Sequence, residues 1–171
     1  EIEEMIQALS RMMRYTMERK RERVPLKEEL DYIDDYLMFY KKRFTQMFSY
    51  EIICDPKLTD CLTCKFILQP VVENCFKHGL KNQTGGMIVI RVWEEEKDIL
   101  ISVRDNGCGI GKETYVSLCS RLNGQAEAGG IGIINTNSRL RLTYGEDYGI
   151  TIDSMESEYT EVTLRIPYQD L

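Results

Sequence analysis

Three stretches of this sequence carry residue types that do chemistry. The first is Leu68-Gln69-Pro70-Val71-Val72-Glu73-Asn74-Cys75-Phe76-Lys77-His78-Gly79. On a helix, Asn74, Lys77 and His78 fall at i, i+3 and i+4 and share a face. That face offers an amide oxygen for a hard cation, an ammonium and an imidazole. Magnesium uses such a sparse set when substrate phosphates and water complete its shell. Taken alone, His78 reads more readily as a helix cap than as a ligand. The second stretch is Asp105-Asn106-Gly107-Cys108-Gly109-Ile110. A carboxylate there can accept a hydrogen bond from an exocyclic amine, and alternate glycines let backbone approach a flat ring with no Cβ between. By itself it also reads as an Asn-Gly turn. The third, Gly129-Gly130-Ile131-Gly132-Ile133-Ile134-Asn135, runs glycine-rich backbone into a helix N-terminus, where free N–H groups and the positive dipole end suit a phosphate. No strand leads into it and no βαβ unit follows, which argues against a Rossmann site.

These stretches need elements to hold them, and hydrophobic periodicity supplies candidates. Residues 1–18 place Ile2, Met5, Ile6, Leu9, Met12, Met13 and Tyr15 on a helical period. Residues 19–24 break it. Pro25 precedes a second helix, predicted over 26–44, with Leu30, Ile33, Leu37 and Tyr40 on one face and Tyr36 adjoining. Two such helices cannot bury both stripes on each other, so each stripe reads equally as core or as an oligomer interface. From residue 46 the texture changes. Strands are predicted over 50–54, 87–94, 98–104, 150–153 and 161–166, with Glu95-Glu96-Lys97 closing a hairpin. Helices are predicted over 66–80, with Pro70 in the first turn, and over 113–122 and 133–142. The expected fold is α+β: an α/β sandwich, a mixed sheet with helices on one face, preceded by two amphipathic helices. The expected division is 1–45, helical, and 46–171, the sandwich.

The chain has 171 residues, 43% hydrophobic and 29% charged, which excludes a disordered tail and a disulfide-stapled miniprotein. Net charge is −6: residues 1–45 are neutral, with ten basic and ten acidic side chains, and the remainder carries the whole deficit. A nucleic-acid binder shows a basic stripe on its binding domain, so nucleic acid is not an expected partner. Arg19-Lys20-Arg21 with Arg23 reads as a solvated helix end. The six cysteines include one CxxC, Cys61–Cys64, with no second pair and a single histidine. A closed zinc site needs four ligands, so six reduced thiols are expected. No stretch approaches the ~18 apolar residues of a membrane span. The chain opens on Glu1 and shows no signal peptide, and a piece of a longer chain is expected.

Together the three stretches resemble the asparagine box and the two glycine boxes of the GHKL superfamily of ATP-binding domains. More closely, the chain resembles the C-terminal part of a sensor histidine kinase of the LytS type. Leu9-Ser10-Arg11-Met12-Met13-Arg14-Tyr15 looks like the helix after that family's phosphoacceptor segment. Leu26-Lys27-Glu28-Glu29-Leu30, Tyr36-Leu37 and Lys42-Arg43-Phe44 look like the helix leading into its ATP-binding domain. The resemblance implies a Bergerat-type sandwich, ATP and magnesium as cofactors, and transfer of the γ-phosphate to a histidine upstream of Glu1. From there a response regulator would take it. It also implies a homodimeric parent with an upstream sensor or transmembrane region, of which this would be a soluble, cytoplasmic portion. Residue by residue, it implies Asn74 as magnesium ligand, Asp105 as adenine reader, and Lys77 and His78 on phosphates. Gly107 and Gly109 would shape the adenine pocket, Gly130, Ile131 and Gly132 the lid end of the phosphate site. Thr163 would bind adenine through water, and Glu73 would orient metal-bound water or assist proton transfer.

The same boxes occur in ATP-hydrolysing switches, in anti-sigma-factor serine kinases and in non-catalytic nucleotide modules. The hydrolysing switches carry a glutamate four residues before the magnesium asparagine. Here that position is Pro70, which can take no proton, and Glu73 lies about 100° around the helix from Asn74. The two N-terminal helices fit a dimeric histidine kinase better than a serine kinase. His78 belongs to the asparagine box and is not the phosphoacceptor. No aromatic box is evident between Gly111 and Gly129, where Tyr115 stands alone.

Overall fold

The computed structural model describes residues 2–18, 21–43, 48–80, 84–124 and 132–169. The chain runs through α1 (Ile2–Met17), β1 (Arg23–Pro25), α2 (Leu26–Arg43), β2 (Phe48–Cys54), a 3₁₀ turn (Pro56–Leu58) and β3 (Leu62–Cys64). It continues through α3 (Gln69–Asn74), a π turn (Cys75–Gly79), β4 (Gly86–Glu95), β5 (Asp98–Asp105), α4 (Lys112–Leu122), α5 (Gly132–Tyr144), β6 (Gly149–Met155) and β7 (Tyr159–Pro167).

Five strands make one mixed sheet in the order β2-β4-β5-β7-β6, with β2 parallel to β4 and every other pair antiparallel. Alternation along the strands decides which face is covered. Ile88, Ile90 and Val92, then Ile99, Ile101 and Val103, then Val162, Leu164 and Ile166 are buried. Arg91, Trp93, Arg104, Thr151, Asp153 and Arg165 stand exposed between them. A sheet buried on one face only keeps this polar-out alternation, and the helices cover the other face. That is the expected architecture.

α2 lies in the same core as the sheet. Leu26, Leu30, Ile33 and Leu37 are buried and belong to one cluster with the strand residues. α1 packs on α2 through Ala8 and Tyr15, with the Arg11 guanidinium on Asp35 at 2.8 Å and the Lys42 ammonium on Glu4 at 2.7 Å. Its other face keeps Ile2, Ile6, Leu9, Met13 and Met17 between 47% and 76% exposed.

Two local features depart from expectation. β1 and β3 pair in a small second sheet, Arg23 opposite Cys64, so the CxxC runs from just before β3 to its last residue, and both its cysteines are buried free thiols. The helix predicted over 66–80 begins at Gln69, with Pro70 in its first turn. Phe66 has φ +59 and cannot be helical. Its N–H and that of Leu68 bond instead to the Glu29 carboxylate of α2, at 2.9 and 3.0 Å.

Candidate functional site

β5 ends by aiming a carboxylate at the helices. Ile99, Ile101 and Val103 form the covered row of the strand, and Asp105 is the next position in that row. It is 3% exposed and accepts the Gly107 N–H at 2.9 Å. Burial pushes its carboxyl up from the usual carboxylate range, and the Gly107 N–H and the Cys75 thiol draw it partly back. Burial, then the charge of Asp105, pushes the Cys75 thiol well up, so that thiol stays protonated and donates.

After Asn74 the helix widens from i→i+4 to i→i+5 bonding, closed by the Leu80 N–H on the Cys75 carbonyl at 2.7 Å. A π turn takes more residues per revolution, which sets His78 above Asn74 and swings Lys77 aside. Asn74, His78 and Asp105 then line one cavity of about 380 Å³. Val71, Ile110, Leu118, Ile133, Ile152 and Val162 give it apolar walls, and Thr160 adds a hydroxyl. Thr160 is the register partner of Asp105 across β5 and β7.

The glycines act on backbone rather than on a ring. A Cβ at Gly107 would lie 2.2 Å from the Gly79 carbonyl oxygen, so only glycine lets this loop cross the end of the π turn. Gly109 has φ +62, and its Cβ would lie 2.0 Å from the Met155 carbonyl oxygen. The Cys108 thiol donates to the His78 carbonyl at 2.9 Å and ties the same crossing.

Of the expected site residues, Asn74, His78, Asp105 and Gly109 reach the cavity, and Gly107 packs directly behind Asp105. Four do not line it: Lys77, Glu73, Thr163 and Gly132. Lys77 is exposed and paired with Glu73 at 3.1 Å, and the other oxygen of Glu73 accepts from the Gln69 amide at 2.9 Å. The shared face expected for Asn74, Lys77 and His78 therefore holds for two of the three, because the π turn intervenes. Thr163 pairs with Ser102 and Thr151 on the open face of the sheet, opposite to Val162 and Leu164. The strand threonine at the cavity is Thr160. Gly132 opens α5 and packs on Pro70, its Cβ position 3.0 Å from that ring. Gly130 and Ile131 lie outside the described residues. Sequence reasoning missed Thr160, the Cys75 thiol and Glu29. Counting alternate positions back from Ile166 would have found the first.

The cavity suits a flat heterocycle: apolar walls and one buried carboxylate acceptor. Among the described residues no three His, Cys, Asp or Glu side chains gather as a metal cluster. A magnesium ion here would rest on the Asn74 amide oxygen and on a ligand's phosphates, which is its habit in phosphoryl-transfer sites. A second cavity of about 550 Å³, beside Lys65 and Arg139, contains none of these groups.

Residues 1–48 match the family described as histidine kinase, and residues 60–170 match the family described as histidine kinase-, DNA gyrase B-, and HSP90-like ATPase. The sensor histidine kinase BtsS of Escherichia coli is 30% identical over 168 residues, which is 98% of this chain and 28% of that protein. The sensor protein LytS of Bacillus anthracis is 30% identical over 145 residues, 84% of this chain and 25% of that protein. The chain thus spans about a quarter of the length of the curated relatives it matches. A histidine kinase domain from the blue-light activated histidine kinase of Erythrobacter litoralis shares the fold. Its TM-score is 0.60 at 14% identity, over 97% of this chain and 74% of that one.

Proposed function

The chain belongs to the family of histidine kinase-, DNA gyrase B-, and HSP90-like ATPases, and we propose that it is the ATP-binding catalytic part of a LytS-type sensor histidine kinase. It transfers the γ-phosphate of ATP to a histidine upstream of Glu1, for relay to an aspartate of a response regulator. The observation that carries this reading is the cavity that sets a buried carboxylate, Asp105, in apolar walls with Asn74 and His78 at its rim.

Asp105 accepts from the adenine amine, with the Thr160 hydroxyl beside it, and guanine, which presents a carbonyl there, is disfavoured. Asn74 would hold magnesium, which would supply neutralisation of the triphosphate's charge during transfer. His78 contacts phosphate. Lys77 reaches a phosphate by leaving Glu73, an exposed pair worth only about 0–1 kcal/mol. Gly130, Ile131 and Gly132 are assigned to the lid end of the phosphate site on the family resemblance. Once Lys77 leaves it, Glu73 would be free to orient water at a bound metal or to assist proton transfer. Pro70 stands where a water-activating glutamate would be needed, which favours transfer to a protein acceptor over hydrolysis.

Residues 1–45 serve as the end of the dimerisation and phosphotransfer region, and 46–171 as the catalytic unit. The exposed apolar stripe of α1 supports a homodimeric parent. Among the described residues no helix is long and apolar enough to cross a membrane. The membrane sensor region is assigned to the rest of the parent, with this portion on the cytoplasmic side.

Labelled ATP tests the reading. The 171-residue chain does not label itself, because His78 faces the nucleotide. It does phosphorylate a longer chain that carries the upstream helix together with Asp105→Asn and Asn74→Ala, which deprive that acceptor of both its adenine reader and its magnesium ligand, read against the label that chain takes up alone. Acid-labile, base-stable label on the longer chain alone is expected. Stable label on the 171-residue chain, or rapid hydrolysis with no acceptor, defeats it.

A further inference from the structure

Glu29 on α2 has no exposed surface. A carboxylate so placed is costly unless every oxygen is bonded. Its Oε1 accepts the Leu68 N–H, and its Oε2 accepts the Phe66 N–H and the Tyr15 hydroxyl. Those two amides lead straight into α3, which has no side-chain cap of its own at Leu68. Phe66 is held at φ +59, a strained conformation for a bulky residue, and packs edge-on against Tyr15 and Tyr32. The Tyr32 hydroxyl donates to Gln69, the first residue of α3, at 2.9 Å. Beside them Lys65, 7% exposed, donates to the Tyr15 and Glu18 carbonyls at the end of α1. The end of α1, the first half of α2 and the start of α3 therefore meet at one carboxylate.

The helix that starts there carries Asn74 and His78, whereas Asp105 sits on β5. We propose that Glu29 is a positioning residue for the metal and phosphate half of the site, and that Tyr15 makes its hold on α3 depend on where α1 lies. The inference rests on the ATP-binding reading above. Shifting α1 withdraws the Tyr15 hydroxyl and leaves a buried carboxylate with a missing donor. The strained loop at Phe66 then has a weaker anchor, and the helix bearing Asn74 loses its fixed start.

Glu29→Gln and Tyr15→Phe in the intact protein test this, with adenosine, ATP and magnesium-ATP affinities and thermal unfolding measured for each. Adenosine, held by the β5 half, should bind both variants as it binds wild type. The gain in ATP affinity on adding magnesium should fall by roughly three- to tenfold in Glu29→Gln, the net worth of about one ordinary hydrogen bond. In Tyr15→Phe, which keeps the carboxylate, it should fall by less. Proportionate loss of adenosine and magnesium-ATP binding overturns the proposal, because mere loosening of the fold acts on both halves. So does an unchanged magnesium gain in folded variants; where Glu29→Gln fails to fold, Tyr15→Phe decides. Asp105→Ala separates the two readings. If it abolishes adenosine binding while Glu29→Gln keeps the full magnesium-dependent gain in ATP affinity, only the positioning role falls. If wild type binds neither adenosine nor ATP, both fall.

Discussion

Replacing Asp105 with Asn keeps the side chain's size and leaves an oxygen for the Gly107 N–H, but removes a charge that burial disfavours. Two quantities should then move in opposite directions. The bond to the adenine amine loses its charge assistance, a difference of about 1 kcal/mol, so ATP affinity should fall roughly fivefold. Stability should rise. A carboxyl whose folded pKa is raised contributes stability that is complete below its unfolded pKa and is lost as pH climbs through the folded value. Wild type is therefore penalised at neutral pH and the variant is not. The unfolding temperature of Asp105→Asn should exceed that of wild type near pH 8, and the gap should close as pH falls toward about 4, the ordinary aspartate value. Over the same interval the affinity advantage of wild type should shrink as Asp105 takes up its proton. Titration of the nucleotide itself cancels in the difference between the two proteins. The Cys75 thiol, pushed up by burial and then by the Asp105 charge, stays protonated across this range and adds no step. Calorimetric ATP titrations and thermal melts at several pH values read both effects. An affinity gap that does not change with pH, or a variant less stable throughout, would refute the reasoning.

Asn74→Ala should leave magnesium-free ATP binding in place and remove most of the magnesium-dependent gain; metal titrations that overlay those of wild type would make Asn74 structural only. Thr160→Val should weaken ATP binding by about one neutral hydrogen bond, roughly two- to tenfold, while Thr163→Val leaves it unchanged. Equal losses in equilibrium binding from the two valine variants would remove the assignment of Thr160 to the covered face.

The sandwich was legible because strands announce themselves by alternation. Ile88, Ile90 and Val92 against Arg91 and Trp93 located β4, and Glu96-Lys97 closed its hairpin with β5 where expected. The same rule, applied to β7, separates Thr160 from Thr163. A motif match at Val162-Thr163-Leu164 overrode it, and the strand's period corrects it. Other features had no local signal. The π turn depends on how the end of the helix meets Gly107, a contact between segments nearly thirty residues apart. The start of α3 looked like Phe66 because Phe66, Ile67 and Leu68 continue the apolar pattern. What ends the helix there is a carboxylate on α2, which no window around residue 66 contains. β1 and β3 are three residues each, too short for alternation to register.

The placement of α2 bears on how force and heat travel through the molecule. Its start is stitched to the sandwich, the Leu26 N–H to the Cys61 carbonyl at 2.8 Å and the Lys27 N–H to the Thr59 carbonyl at 2.9 Å. Leu26, Ile33 and Leu37 are fully buried in the sheet's own core, each worth about 1.5–3 kcal/mol of burial. That sum is comparable with the whole stability of a small domain, about 5–15 kcal/mol. A truncation at residue 46 would therefore strip the sandwich of part of its interior, and α2 should melt in one cooperative transition with the strands. Mechanically, α2 belongs to the sandwich and α1 is the lever. Torque on α1 reaches the sheet through its contacts with α2, the Arg11 guanidinium on Asp35 and the Tyr15 hydroxyl on Glu29, because α2 shares the sheet's core.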